Sequence, residues 1–427
     1  MHRERAPFDQ AYASSCVGRA CHKVHWPYLV LTGAVVIGAG TLPAPARAED
    51  RSFEIYGFAQ VDWIQDTKRV NPDWMDAFRP SKIAAPEGEF GSNGQSSISV
   101  KQSRFGVKGL MPTGEHTPPV TFKFEIDMFG VGVDAGQTTI RLRYAYGEWG
   151  QLLGGQTTSL FMDLDIFPNV IDYWGPPGMV FLRDPQIRWT AYRTTNDSIA
   201  IAIERPSNDI DPGNTRLVDE NIDVQGNETV PDFTAQYRHD DTWGHYQIAG
   251  ILRNVGYEVQ TAPGAPYTKG SKLGWGINLT GVYKLFEKDQ ILAGIVHGDG
   301  IASYMNDGGM DLAPTAAFPP EPAVEPPTLS AESIPLTGIS VYYDHWWNNE
   351  LSSSIGYSFD QVSNTNFQTP DVFHKGQYAS VNLLWYPADK VMIGAELLYG
   401  KLTDNSGTTG DDVRFQFSAK YNFGAKF

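Results

Sequence analysis

The chain has 427 residues, of which 12% are aromatic and 19% are charged, and its formal net charge is −16. This acidic balance excludes an ordinary nucleic-acid binder, because proteins that contact the phosphate backbone present clustered positive charge. The only two cysteines, Cys16 and Cys21, lie near the N-terminus. The rest of the chain can therefore form neither a disulfide framework nor a thiolate metal site.

Residues 1–48 have the pattern of a cleaved secretory signal peptide. A polar stretch with basic residues precedes a short apolar run at 28–39, and Ala46-Arg47-Ala48 resembles a signal-peptidase site. A membrane anchor is the alternative, but the run is shorter than the roughly 17–25 residues that span a bilayer. We expect export, cleavage after Ala48 and a single domain over 49–427. Cleavage removes five of the 33 Lys+Arg and two of the 49 Asp+Glu, which leaves a formal charge of −19.

Five later segments alternate between apolar and polar residues, at 120–128, 140–147, 275–285, 391–399 and 413–427. Such alternation is typical of β-strands, whose successive side chains point to opposite faces. In 140–147 it predicts that Ile140, Leu142, Tyr144 and Tyr146 share the outer face. Most of these segments exceed the average strand of about 5–6 residues and match the roughly 9–11 residues of a tilted membrane strand.

Counting by period and by turn residues predicts sixteen strands, the first at 53–64 and the last at 411–427. Connections after odd-numbered strands are long and those after even-numbered strands are mostly tight, with 110–119 as the exception. This asymmetry is typical of outer-membrane barrels, and closure leaves no backbone edge unpaired in lipid. The sequence therefore predicts an all-β fold, a 16-stranded antiparallel transmembrane β-barrel. The predicted long connections are 65–96, 129–138, 158–184, 206–231, 255–271, 301–335, 361–374 and 403–410.

Basic residues recur on the predicted inner face of the clearer strands. A cationic wall lowers the barrier for anions and raises it for cations, and guanidinium groups bind carboxylates in bidentate geometry. We therefore expect a pore lining that prefers anions. Its candidate residues are Arg104, Lys108, Lys123, Arg141, Arg143 and Arg188. The alternative is ordinary wall chemistry, in which these side chains pair with inward acids such as Glu125, Asp127 and Glu148.

The connection at 158–184 is too apolar for a loop that is exposed to water. Folding inward against the barrel wall would bury its apolar side chains and turn it into a constriction loop, since long loops are often functional. Burial between subunits of an oligomer, or in a cap above the barrel, is the alternative. The candidate constriction residues are Asp163, Asp165, Asp172, Tyr173, Trp174 and Arg183.

The motif Gln102-Ser103-Arg104-Phe105-Gly106, the stretch 137–156 and the motif Asp184-Pro185-Gln186-Ile187-Arg188 resemble the DcaP-like porin family of Gram-negative outer membranes. The resemblance implies a homotrimeric channel, surrounded by lipid and lipopolysaccharide, for small anions that include dicarboxylic and aromatic acids. It also implies that the basic lumen residues of the family correspond to Arg104, Arg141, Arg143, Arg183 and Arg188. Some members carry a helical extension before the first strand, where this chain has only residues 49–52.

Other functions fit the sequence less well. Neither G-x-S-x-G nor H-E-x-x-H occurs and the histidines after residue 48 are scattered, so we expect no enzyme, no metal and no cofactor. Asp307 and Asp311 could hold Ca²⁺, but a solvated loop is the simpler interpretation. Two alternatives stay open: a general porin without a preferred solute, and a non-conducting surface adhesin or structural barrel.

Overall fold

The computed structural model describes residues 51–215, 222–260, 262–315 and 330–427. The predicted signal peptide at 1–48 lies outside these ranges. The described residues form twenty β-strands and five single-turn 3-10 helices. The strands are β1 (Ser52–Asp66), β2 (Gln95–Ser99), β3 (Arg104–Met111), β4 (Val120–Phe129), β5 (Thr138–Trp149), β6 (Leu152–Thr158), β7 (Arg183–Arg193), β8 (Asp197–Glu204), β9 (Asp223–Gly226), β10 (Asp232–Asp241), β11 (Gly244–Gln260), β12 (Thr268–Leu285), β13 (Asp289–Asp299), β14 (Leu312–Pro314), β15 (Ala331–Ser333), β16 (Pro335–Trp346), β17 (Leu351–Val362), β18 (Phe373–Ala388), β19 (Val391–Asp404) and β20 (Thr409–Lys426). The 3-10 helices are Pro72–Trp74, Pro80–Lys82, Gly132–Asp134, Leu164–Ile166 and Ala302–Tyr304.

These strands form one closed antiparallel barrel. β2 and β3 both pair with β1 and share one position in the wall, as β9 and β10 do beside β11. The wall of the described chain therefore has sixteen strand positions, and the pairing of β20 with β1 closes it. The hairpin β14–β15 forms a separate two-stranded sheet in the connection after β13. The predicted 16-stranded antiparallel barrel is confirmed.

The two faces of the wall are inverted relative to a soluble protein. On β20, Phe415 and Phe417 are 36% and 41% exposed, whereas the alternating residues Arg414 and Gln416 are fully buried. Apolar side chains thus cover the outside and polar side chains point inward, as lipid on the outside requires.

No helix in the described ranges is long and apolar enough to cross a membrane.

Most short turns lie at one end of the barrel and most long connections at the other; the exceptions are the eight residues between β3 and β4 and the four residues between β19 and β20. Two residues each join β5 to β6, β10 to β11 and β18 to β19, whereas β1 to β2, β6 to β7 and β13 to β14 are joined by long connections. This confirms the predicted asymmetry and places the short turns at the periplasmic end. β11 and β12 extend further than predicted, so the connection expected at 255–271 is reduced to 261–267.

A β-bulge in β5 corrects the predicted orientation of two tyrosines. Glu125 on β4 pairs with Tyr144, but the next residue, Ile126, pairs with Leu142, so Arg143 is an extra residue in the ladder. Such an insertion reverses the alternation beyond it. Tyr144 is buried inside the barrel, and Tyr146 pairs with the inward Lys123. The predicted outer face for both tyrosines is wrong, because a period-2 count cannot detect an inserted residue.

The closing seam contains a buried ion pair whose loss we expect to weaken the barrel. Arg414 on β20 donates from Nε and Nη2 to the two carboxylate oxygens of Asp66 on β1, at 2.6 and 2.9 Å. Replacing Arg414 by alanine leaves a buried, unpaired carboxylate, which costs about 3–5 kcal/mol. Urea unfolding followed by tryptophan fluorescence measures the loss.

The matched control for the seam is Lys68→Ala, which breaks a partly exposed ion pair with Asp411 near the same strand ends. Such pairs contribute about 1 kcal/mol or less. Equal stability of Arg414→Ala and Lys68→Ala would contradict a structural role for the seam pair.

Candidate functional site

Segment 159–182, which joins β6 to β7, contacts the inner face of strands on the far side of the barrel. The Ile171 N–H donates to Glu396 on β19 (2.8 Å), and the Gly178 N–H donates to Ser358 on β17 (2.9 Å). Both acceptors are buried inward-facing side chains. An irregular backbone away from water needs such partners, so polar side chains of the wall take the place of solvent.

The apolar side chains of the segment pack on the same wall. Phe161 belongs to a buried cluster with Ile251 of β11 and Val296 of β13. Met179 belongs to a second cluster with Tyr342 of β16. The inner face of the barrel thus buries the apolar residues that made 158–184 unsuitable as a loop exposed to water.

Inward glycines allow the segment to approach the wall closely. A Cβ atom on Gly276 would lie 2.9 Å from the ring of Phe161, and one on Gly338 would lie 2.7 Å from the carbonyl oxygen of Gly178. Glycine inside a strand often marks such an approach of another backbone or side chain. The sequence showed these glycines, but only the structure identifies what approaches them.

Two cavities occupy the lumen beside this segment. The outer chamber, about 440 Å³, lies among the long connections and includes Arg79, Arg141 and Trp174 in its lining. The inner chamber, about 350 Å³, lies against β1, β3, β4 and β20. Four residues line both chambers and form what we call the neck. They are Arg143, Tyr173, Phe181 and Arg183.

Two of the predicted lumen arginines are neutralised by carboxylates. Arg141 binds Asp127 in bidentate geometry at 3.1 and 2.7 Å. Arg143 donates to Glu125 at 2.7 Å and to Asp127 at 2.8 Å. The Tyr173 hydroxyl donates to Asp127 at 2.6 Å and accepts from Arg143 at 2.9 Å. Arg141 and Arg143 thus pair with inward-facing carboxylates, as the alternative interpretation of ordinary wall chemistry implies.

Arg183 is not neutralised in this way. No carboxylate of the described residues lies within 4 Å of its guanidinium, and its buried Nε lacks a hydrogen-bond partner there. Its neighbours are the rings of Tyr144 and Phe181, at 5.1 and 4.8 Å from Cζ. The Tyr144 side chain forms a hydrogen bond with Arg183, and Glu125 acts on Arg183 from beyond contact distance. The neck therefore carries one positive charge without a direct carboxylate partner in the described chain.

Basic residues also outnumber acids around both chambers. The described lining of the inner chamber has five basic side chains and two carboxylates, and that of the outer chamber has four and two. Both chambers are thus net positive, although the whole chain is acidic. The basic residues of the inner chamber are Arg104, Lys123, Arg143, Arg183 and Lys420.

The structure does not bring all the predicted site residues together. Lys108 pairs with Glu54 at the periplasmic end, and Arg188 donates to Gln186 and to the Thr158 carbonyl. Neither residue lines either of the two chambers; Lys108 lines a separate cavity of about 280 Å³. Lys123 does line the inner chamber and lies over the ring of Tyr144 at 3.8 Å.

The acidic residues of segment 159–182 act as anchors rather than as a charged rim. Asp172 lines the inner chamber, but its carboxylate accepts from the backbone N–H groups of Phe78 and Gly175. Asp163 and Asp165 line neither chamber and both pair with Arg238 of β10, at 3.4 and 2.7 Å.

The outer chamber contains an arginine that sequence reasoning missed. Arg79 lies beside the rings of both Trp74 and Trp174, with Cζ 4.2 and 4.4 Å from their centres, and donates to Asp307 at 2.8 Å. Arg79 lies in a connection and not in a strand, so the alternation of apolar and polar residues could not predict its position. Asp307, which was considered as a Ca²⁺ ligand, is thus bound to a guanidinium, and Asp311 lies 3.0 Å from Arg253.

One group in the described chain has metal-ligand spacing. Oxygen and nitrogen atoms of Asp163, Asp165 and His245 lie within 4.8 Å of one another. Arg238 already supplies a positive charge to both aspartates. The group is therefore explained as an anchor of segment 159–182.

The comparisons with known proteins agree with this architecture. A profile of the DcaP outer membrane protein family matches residues 44–423. The chain belongs to this family. It is a bacterial outer-membrane channel of the porin type, and family and fold both favour a channel over an enzyme. A sequence comparison with curated proteins found no match.

Solved porins share the fold at low sequence identity. The outer membrane channel DcaP of Acinetobacter baumannii is 20% identical, with a TM-score of 0.69 over 87% of this chain and 97% of that one. An anion-selective porin from Comamonas acidovorans is 9% identical, with a TM-score of 0.55 over 88% and 100%. The trimer form of OmpT from Vibrio cholerae is 12% identical, with a TM-score of 0.50 over 88% and 100%.

We expect the Asp163 anchor to hold segment 159–182 against the wall. Burial raises the pKa of Asp163, but hydrogen bonds with His245 and Thr280 and the charge of Arg238 outweigh it, so the pKa is lowered and the carboxylate is ionised at neutral pH. His245→Leu removes one partner and should cost about 1–3 kcal/mol. Chymotrypsin, which cuts after aromatic residues, should then cleave the segment after Phe161 faster.

His245→Gln keeps a hydrogen-bond donor and is the control for the anchor. It should retain most of the protection against chymotrypsin. Equal cleavage of wild type and His245→Leu would show that the segment does not depend on this anchor.

Proposed function

We propose that the protein is an anion-preferring porin for the passive diffusion of small organic acids, such as dicarboxylic and aromatic acids. The observation that carries this proposal is the charge of Arg183 at the neck, where both chambers meet, because Arg183 has no direct carboxylate partner in the described chain. A fixed positive charge in the lumen lowers the barrier for anions and raises it for cations. The porin from Comamonas acidovorans, described as anion-selective, shares the fold and is consistent with this function.

The proposal assigns segment 159–182 the role of a constriction loop. Its contacts with β11, β13, β16, β17 and β19 fill part of the lumen, and the two chambers lie beside it. A passing solute would be confined between Tyr173 and Phe181 of the segment and the arginines of the neck. Aromatic faces beside guanidinium groups suit solutes that carry a carboxylate on an apolar body.

The pairing pattern divides the lumen arginines into two roles. Arg141 and Arg143 share their charge with Asp127 and Glu125, so they attract anions weakly. Arg183 has no such partner among the described residues and is assigned most of the selectivity. A homotrimer is part of the proposal, since OmpT of the same fold is described in a trimer form.

Removing the charge of Arg183 should reduce anion selectivity. Two unit charges about 4 Å apart interact by about 1 kcal/mol in water, so Arg183→Gln should lower the chloride-to-potassium permeability ratio roughly fivefold. The reversal potential of purified protein in a planar bilayer under a KCl gradient measures this ratio.

Arg141→Gln is the matched control, because it removes a lumen arginine whose charge Asp127 already compensates. Its effect should be clearly smaller than that of Arg183→Gln. A wild-type reversal potential near zero would contradict anion preference and favour a general porin, and absence of conductance would favour the adhesin.

A bulky residue at Gly338 should displace segment 159–182 and alter conductance. The Cβ of Gly338→Leu would meet the backbone of Gly178 at 2.7 Å, which pushes the segment away from β16 towards the chambers. We expect the single-channel conductance to fall. Gly250→Leu is the control, because Gly250 pairs with the exposed strand positions of the lipid face and a Cβ there meets only Gly276 O, at 3.8 Å. Equal conductance of both variants would contradict the constriction.

A further inference from the structure

Two basic side chains of the inner chamber lie beside the same aromatic ring. Arg104 Cζ is 5.1 Å and Lys420 Nζ is 4.9 Å from the ring centre of Phe58. The three residues come from adjacent strands, since β1 pairs with β3 on one side and with β20 on the other. The separation of the two charged atoms therefore cannot exceed the sum of these two distances.

Lys420 has no ionic partner in the described chain. No carboxylate there lies within 4 Å of its amino group. The neighbouring carboxylate, Asp62, accepts hydrogen bonds from Gln60, Gln102 and Ser418 instead. The positive charge of Lys420 is thus uncompensated by direct contact.

Arg104 is only weakly compensated. Its closest carboxylate oxygen is Glu125 Oε1, at 3.5 Å from Nε, and this oxygen already accepts a hydrogen bond from Arg143 at 2.7 Å. The other oxygen of Glu125 accepts from Tyr56 and lies 3.4 Å from Lys123. The buried Nε of Arg104 has no hydrogen-bond partner among the described residues.

Two poorly compensated cations in one partly enclosed chamber repel each other and lose hydration, which costs free energy unless an anion joins them. Cation–π contact with Phe58 offsets part of this cost, at about 0.5–1 kcal/mol for each contact at exposed sites. The same ring positions both charges at the chamber wall. A small dianion within reach of both cations is attracted by each of them with two charges, whereas a chloride ion carries only one.

We propose that Arg104, Lys420 and Phe58 form a second anion site, on the periplasmic side of the neck, that binds small doubly charged oxyanions. The proposal rests on the proposed anion channel and adds a position to it. Solutes pass Arg183 at the neck and then the Arg104–Lys420 pair in the inner chamber. Two weak sites in series let an anion enter favourably and still leave quickly.

Sulfate is the probe that tests this site. Sulfate added on the periplasmic side of a planar bilayer in KCl should reduce the chloride current of the wild-type protein. Lys420→Gln should raise the half-blocking sulfate concentration roughly tenfold, the effect of losing one charge-assisted contact. Arg104→Gln should act in the same direction, and Lys420→Arg should keep the block.

Lys284→Gln is the matched control, because it removes a lysine near the periplasmic end of β12 that lines neither chamber. Its sulfate block should equal that of the wild type. Sulfate block that is unchanged in both Lys420→Gln and Arg104→Gln would overturn the site, and so would an equal loss of block in Lys284→Gln.

The reversal potential separates this inference from the proposed function. If Lys420→Gln weakens the sulfate block while the KCl reversal potential still favours anions, the result supports both the second anion site and the anion channel. If the wild type favours anions but sulfate block does not depend on Arg104 or Lys420, the second site fails and the anion channel stands. If the wild type shows no anion preference, the proposed function fails first.

Discussion

Satisfaction of the backbone in lipid is the constraint on which this structure depends. Every N–H and C=O in the hydrocarbon region needs a partner inside the protein, and the pairing of β1 with β20 provides the last ones by closing the sheet. Closure forces one face of each strand outward into lipid and the other into the lumen. The polar side chains that build the pore are therefore a consequence of the fold, and their arrangement alone distinguishes one channel from another.

The same constraint explains how segment 159–182 can lie against the wall. Its backbone is irregular, so it needs acceptors such as Glu396 and Ser358 from the inward face. Its apolar side chains need a surface, which Ile251, Val296 and Tyr342 provide. Part of the barrel interior thus resembles a protein core, and another part keeps open space lined mainly by basic side chains.

The fold was predictable from the sequence because lipid enforces a strict period of two over long strands. The strand count, the long and short connections and the inward direction of Arg104, Arg141 and Arg143 all follow from that period. The β-bulge at Arg143, which turns Tyr144 inward, could not be predicted, because an inserted residue does not change the types of residue in the strand. The position of Arg79 was also inaccessible, because it depends on how an irregular connection folds.

Alternation identified which arginines point inward but not which of them carry effective charge. That depends on distances between side chains of neighbouring strands, where Asp127 and Glu125 neutralise Arg141 and Arg143 and leave Arg183 without a carboxylate partner in the described chain. Paired charges hold the neck in shape, because each guanidinium is fixed by two or more hydrogen bonds. Unpaired charges act on the solute, because no protein carboxylate competes for them. A channel wall needs both kinds: the acids of β4 that reduce its net positive charge also hold its arginines in place.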